Sequence, residues 1–197
     1  MVPVPPTWAD TWLRLLLPAR DVDTVSGDLM EEYRDNIRPR RSQLAADAWY
    51  LGQVSRFAWR IFIWAVVLTI LYTGRMSYDW FVPTSNFAPR AEVTTLAMVS
   101  TLLVIGASST LRTRSVKAGV ASTASALVIS AILSTMVLAF ICLNWKSPEL
   151  ISRIGASGGM GEAFTMPIVI IVPGTIVGAM GALFASFRLP SNPRSTY

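Results

Sequence analysis

Hydrophobic and polar positions divide the chain at about residue 57. Before it, apolar residues recur every three or four positions among many charged ones, the pattern of amphipathic helices. After it come four long apolar runs, each with at most one charged residue. At about 1.5 Å per residue each run can cross a hydrocarbon core roughly 30 Å thick. The pattern predicts an all-α protein: a small three-helix domain followed by a four-helix transmembrane bundle.

Three helices are predicted in residues 1–56. The first should start at Trp8, because Thr7 and Asp10 have the spacing of a capping box. The second should span residues 21–37, and the third should open near Ser42 and continue into the membrane. A domain this small needs large apolar side chains, so four aromatic residues are assigned to its core. These are Trp8, Trp12, Trp49 and Tyr50.

The membrane domain, residues 57–190, should contain four spans and be followed by a short tail. The predicted spans are residues 57–74, 93–111, 118–143 and 166–187, and the tail is residues 191–197. Asp10 and Arg14 interrupt the short apolar stretch at the N-terminus, so a signal peptide is not expected.

Positive charge is distributed unequally between the predicted loops. One side of the membrane receives Arg56, Arg60, Arg112, Arg114, Lys117 and Arg188. By the positive-inside rule this side is cytoplasmic, which places both termini in the cytoplasm of a bacterial cell and the protein in its inner membrane. The surplus of arginine lies beside apolar segments, so it favours contact with lipid headgroups over nucleic acid.

The composition argues against several kinds of catalytic site. The chain has no histidine, which excludes Ser-His-Asp catalysis and histidine-bound zinc or haem. Its one cysteine, Cys142, lies inside an apolar run and is interpreted as a packing residue. No acid-base pair or metal ligand set occurs within the spans, so we expect neither an enzyme nor a cofactor or metal site.

A motif in the second predicted helix carries a family resemblance. Residues 15–35 read LLLPARDVDTVSGDLMEEYRD, and WYLGQVSRF follows at residues 49–57. This stretch resembles the permease prefix domain, a helical module that precedes the membrane part of bacterial ABC permeases of the macrolide-export type. Such permeases continue with a large periplasmic domain and further spans, whereas four spans follow here. The resemblance therefore implies association with an ABC export system rather than transport by this chain alone.

The same helix presents a charged side opposite its apolar stripe. The charged residues are Asp28, Glu31, Glu32, Arg34 and Asp35. They form either a solvated helix face or a docking surface for a partner. Gly27 lies beside them, and a glycine inside a helix costs about 1 kcal/mol relative to alanine, which predicts a close helix contact there.

The fourth span carries a stripe of small residues. Gly174, Gly178 and Gly181 follow Pro173, which should bend the helix because it lacks a backbone N–H. Small residues at this spacing let helices approach closely, either within one chain or across a homodimer.

Two functions follow from these observations. The first is an accessory or regulatory membrane protein, whose cytoplasmic domain docks on an ABC permease, an ATPase or a transcriptional regulator. The alternative is a small transporter or channel subunit that acts as a homo-oligomer. Ion-coupled transport usually requires ionisable groups within the bilayer, and none lies in the middle of these spans.

Overall fold

All regular secondary structure in the described part of the chain is helical, as the periodicity predicted. The computed structural model describes residues 4–17, 21–82, 86–145, 147–156 and 158–189. The helices are α1 (Thr7–Leu16), α2 (Val22–Glu32), α3 (Gln43–Phe81), α4 (Ala88–Thr113), α5 (Val116–Asn144), α6 (Pro148–Ala156), α7 (Gly159–Val169) and α8 (Ile171–Ser186). The predicted tail, residues 191–197, lies outside the described residues.

The N-terminal helical domain, meaning α1, α2 and α3 up to residue 56, has a core of its own. Its buried apolar side chains are Ala9, Leu13, Leu17, Tyr33, Ala46, Tyr50 and Val54. The rings of Tyr33 and Tyr50 meet edge to face with centroids 5.9 Å apart. This geometry stabilises an aromatic pair beyond the area that it buries.

The tryptophans of α1 are not in this core, contrary to the sequence prediction. Trp8 is 58% exposed and Trp12 is 37% exposed, whereas Ala9 and Leu13 on the other side of the helix are fully buried. The two indoles line an apolar groove between α1, α3 and α5, beside Val54 and other small apolar residues. Of the other two aromatic residues, Tyr50 is buried and Trp49 is half-buried.

The start of α1 also differs from the capping-box prediction. The helix begins at Thr7, and Pro6 precedes it with no side-chain cap. The Asp10 carboxylate is turned away from the helix terminus because it accepts hydrogen bonds from Ser26 and Tyr50.

The second predicted helix changes its winding before it ends. It is α-helical to Glu32, continues as a π-helical turn over Tyr33–Ile37, and closes as a 3₁₀ turn over Arg38–Arg40, which contains Pro39. The Tyr33 hydroxyl donates to the Asp47 carboxylate at 2.6 Å and so joins this segment to α3.

One continuous helix connects the N-terminal domain to the bundle. α3 begins after Ser42, as predicted, and the Ser42 hydroxyl caps it by accepting from the Ala45 N–H. The helix then runs for 39 residues to Phe81, seven residues beyond the predicted end of the first span at Gly74. At about 1.5 Å per residue it is roughly 58 Å long.

Four segments are long and apolar enough to cross a membrane: α3, α4, α5, and α7 together with α8. In the last of these the regular helix is interrupted at the single residue Ile170, between the end of α7 and the start of α8. Large apolar side chains on these helices point away from the bundle, as lipid-facing residues do. Examples are Phe62, Ile70, Val104, Ile132, Phe140, Ile176 and Phe184. These are properties of a multi-pass membrane protein.

Candidate functional site

The charged residues assigned to docking lie together on the outer side of α2 and its π-helical turn. All five side chains are exposed: Asp28, Glu31, Glu32, Arg34 and Asp35. On the opposite side of the same segment, Ser26 and Tyr33 are buried. The fold therefore does not use these charges to hold α2 in place. We call this set of residues the acidic face.

Local hydrogen bonds reduce the charge at one end of the acidic face. Arg34 donates to both oxygens of Asp35, at 2.6 and 3.1 Å. These hydrogen bonds, with the nearby positive charge, lower the pKa of Asp35 below its usual value. Asn36 donates to Glu32 at 2.9 Å. The net negative charge is therefore concentrated on Asp28, Glu31 and Glu32.

Gly27 does not make the close helix contact expected from its sequence position. It is exposed, and an added Cβ would meet no atom within 4 Å. The reason is that Gly27 faces solvent beside Asp28, while Ser26 takes the buried position. A side chain there would extend the acidic face outward without a clash.

The half-buried carboxylate of Asp10 holds the three helices of the N-terminal domain together. It accepts from Ser26 Oγ at 2.8 Å, from Tyr50 Oη at 3.2 Å and from Arg14 Nε at 2.8 Å. Burial raises the pKa of Asp10, but the hydrogen bonds and the charge of Arg14 outweigh burial and hold the pKa below its usual value. Ser26 and Tyr50 lie 16 and 40 residues away along the chain. Local spacing in a sequence does not indicate partners this far apart, so this role of Asp10 was not predicted.

The small residues of the fourth span face α4 and α5 of the same chain. A Cβ on Gly178 would overlap Thr123 of α5, one on Gly181 would overlap the backbone at Leu103 of α4, and one on Gly174 would crowd Leu127. Pro173 lies two residues after the start of α8. Because the glycine stripe is covered within the chain, a homodimer would need a different surface.

Two glycines that the sequence analysis did not select complete this contact. A Cβ on Gly106 of α4 would strike the carbonyl of Gly178, and one on Gly119 of α5 would strike the carbonyl of Gly106. We call Gly106, Gly119, Gly174, Gly178 and Gly181 the glycine seam. The sequence signal for Gly106 was weak, because a single glycine within a span does not form a repeated pattern of small residues.

A buried charge cluster lies at the other end of α3, beyond the predicted span. The side chain of Asp79 is 3% exposed and lies 3.6 Å from Arg75 Nε and 3.4 Å from Arg90 Nη1. The Arg90 guanidinium also stacks on the ring of Tyr78 at 4.2 Å and donates to the Val82 carbonyl. A buried carboxylate needs such partners, so this cluster fixes α3 against the start of α4. The i, i+4 spacing of Arg75 and Asp79 was the available sequence signal.

The described residues contain no group of three or more Cys, Asp or Glu side chains placed to hold a metal ion. The described residues thus form a membrane bundle with an attached helical domain. The domain has a charged outer surface, and the bundle contains closely packed glycines. Comparison with known proteins found no matching family model, no matching curated protein and no matching solved structure.

Proposed function

We propose that this chain is an accessory or regulatory membrane protein whose N-terminal helical domain docks on a partner in the cytoplasm. One observation carries the proposal: all the side chains of the acidic face are exposed, while the opposite side of α2 packs against the domain core. Charged surfaces of this kind act on partner choice and association rate rather than on the fold.

The partner should present a basic surface. The resemblance of residues 15–57 to the permease prefix domain favours a component of an ABC-type export system, either a permease or an ATPase. A transcriptional regulator with a basic surface is the other candidate. In either case the contact is protein to protein, because a net negative surface repels the phosphates of nucleic acids.

α3 runs without interruption from the N-terminal domain into the bundle. This continuity supports a regulatory role for the domain rather than a role as a simple tether. Asp47 and Tyr50, which contact Tyr33 of the π-helical turn, belong to the same helix as Leu68 and Tyr72 inside the bundle. No loop or break separates the two regions. A partner that tilts the N-terminal domain would therefore tilt the first membrane helix as well.

Copurification from mild detergent tests the docking surface. Glu31→Lys/Glu32→Lys should lower the yield of a stoichiometric partner about tenfold or more, because like charges placed against each other cost several kcal/mol. Glu31→Gln/Glu32→Gln should cause a smaller loss. The matched control is Glu92→Gln/Glu149→Gln, which removes two exposed charges at the opposite end of the bundle and should leave the yield unchanged.

Reporter fusions test the orientation that the proposal requires. A fusion after Arg114 should report the cytoplasm and a fusion after Gly158 should report the periplasm. A cytoplasmic signal at Gly158 would contradict the assigned orientation of α5 and α7. If no partner copurifies with the wild-type protein, and the protein alone moves ions or a solute across liposomes, the accessory function is wrong and the transporter alternative replaces it.

A further inference from the structure

A polar cleft opens at the end of the bundle that adjoins the N-terminal domain. It lies between α3, α4 and α5 and has a volume of about 180 Å³. Arg60 of α3 and Arg112 of α4 line it together with the hydroxyls of Ser109 and Ser122. The cleft is thus separate from the acidic face, from the glycine seam and from the cluster around Asp79.

The two arginines of this cleft lack a compensating carboxylate. Within the described residues, no Asp or Glu oxygen lies within ion-pair distance of either guanidinium. By contrast, Arg75 and Arg90 at the other end of the bundle share Asp79. Both arginines line the cleft while part of each side chain stays exposed. Two cations that line one cleft repel each other, and an anion bound between them removes that repulsion. The cleft therefore has an electrostatic preference for an anionic ligand.

The polar groups around the arginines indicate which anion fits. The hydroxyls of Ser108 and Thr113 donate back into α4, at 3.2 and 2.8 Å. In the described part of the chain, the Ser109 and Ser122 hydroxyls have no such bond and can donate to a ligand oxygen. Two planar guanidiniums and two hydroxyls match a group with several acceptor oxygens, as a phosphate has.

The position of the cleft indicates where the phosphate comes from. Arg60 lies near the start of the first apolar run and Arg112 just after the second, so both lie at the level of the lipid headgroups. Phe57 and Trp64 supply apolar walls beside the arginines. Basic pockets between transmembrane helices are suited to anionic headgroups. We propose that this cleft binds a phosphate group, supplied by an anionic phospholipid of the adjoining leaflet.

Native mass spectrometry of the full-length protein in a nonionic detergent tests the proposal. The probes are dioctanoyl phosphatidylglycerol, dioctanoylglycerol, which lacks the phosphate, and inorganic phosphate. Phosphatidylglycerol should bind with one tight site per chain, and dioctanoylglycerol should not compete with it. Arg60→Gln/Arg112→Gln should weaken that site about tenfold or more, because each arginine contributes a charge-assisted hydrogen bond.

The matched control is Arg56→Gln/Lys117→Gln, which removes two exposed charges at the same end of the bundle without touching the cleft. Its affinity should stay within about twofold of wild type, because long-range surface charge is screened. Equal weakening by both double variants would overturn the proposal, since binding would then depend only on net charge. Competition by dioctanoylglycerol would overturn it as well.

Competition with inorganic phosphate distinguishes a phospholipid from a soluble phosphate compound as the source of the bound phosphate group. If millimolar phosphate displaces phosphatidylglycerol in wild type and this competition is lost in Arg60→Gln/Arg112→Gln, the phosphate group is the recognised element and the lipid supplies it. If inorganic phosphate binds with the same dependence on Arg60 and Arg112 while phosphatidylglycerol does not bind, the lipid source is wrong and the cleft serves a soluble phosphate compound.

Discussion

The hydroxyl of Tyr72 donates a hydrogen bond of 2.8 Å to the carbonyl of Ala163, across from α3 to α7. Pro167 lies four residues after Ala163 and has no N–H, so the carbonyl of Ala163 lacks its usual helical partner. Tyr72 is 6% exposed, and its hydroxyl takes the place of that missing donor. A tyrosine of the first membrane helix thus satisfies a carbonyl that a proline has freed in the last one.

Tyr72→Phe should therefore lower the free energy of unfolding by about 1 kcal/mol, because it leaves a buried carbonyl without a donor. The measurement is reversible unfolding of the full chain in mixed micelles. In a Pro167→Ala background the same substitution should cost less, since the N–H of the new alanine can bond to the Ala163 carbonyl. Additive effects of the two substitutions would show that Tyr72 and Pro167 are not coupled.

The glycine seam gives a second prediction. Gly106→Ala should destabilise the bundle by about 1 to 3 kcal/mol, because its Cβ would strike the backbone carbonyl of Gly178 and force α4 and α8 apart. Gly74→Ala is the matched control, since an added Cβ at Gly74 meets nothing within 4 Å. Removing a glycine from the interior of α3 should be neutral or slightly stabilising. The measurement is the thermal unfolding midpoint in detergent, and equal shifts for the two variants would contradict the close approach at Gly106.

How far the sequence predicts this fold depends on whether local spacing carries the information. The four apolar runs and the start of α3 near Ser42 could be identified because each is a feature of one contiguous segment. The exposure of the acidic face also followed from the helical period of α2. The bend predicted at Pro173 stays a prediction. The hydrogen bond from Tyr72 to the Ala163 carbonyl was not found, because it joins residues 91 positions apart.

The failure at Trp8 and Trp12 has a different cause. α1 has two apolar sides, one with Ala9 and Leu13 and one with the tryptophans. The sequence prediction placed the tryptophans in the core because their side chains are larger. In the structure, α1 lies between α2 and the bundle, so both sides meet apolar surroundings. The smaller residues fit the close contact inside the domain. The indoles take the wider groove at the level where tryptophan is enriched in membrane proteins.

Asp10 gives a prediction about pH. Its folded-state pKa lies below its usual value of about 3.9. The carboxylate therefore stabilises the N-terminal domain above pH 4, and this contribution is lost as the pH falls through the folded-state pKa. Protection of the α1 amides against hydrogen exchange, measured in the full chain, should decrease as the pH falls from about 4 through the folded-state pKa of Asp10.

Asp10→Asn is the control for this pH effect. It should remove the part of the pH dependence that belongs to Asp10. It should also lower stability at neutral pH by about 1 to 3 kcal/mol, because the amide keeps an acceptor for Ser26 and Tyr50 but places a donor where Arg14 needs an acceptor. Asp23→Asn, at a carboxylate that is 97% exposed, should leave the profile unchanged. An unaltered pH profile in Asp10→Asn would mean that another acid governs the low-pH loss.

The last prediction compares two adjacent residues of α1, whose side chains point about 100° apart around the helix. Leu13 is fully buried in the domain core, and Leu13→Ala should cost about 2 to 5 kcal/mol, enough to unfold so small a domain. Trp12 is 37% exposed in the groove, and Trp12→Ala should cost about 1 kcal/mol or less although it removes the larger side chain. Limited proteolysis of the full chain within residues 7–16 separates the two outcomes. Cleavage should be rapid in Leu13→Ala and slow in Trp12→Ala, because proteolysis follows the population of the opened domain. Equally rapid cleavage in both would contradict this prediction, because it would mean that Trp12 supports the domain core as much as Leu13 does.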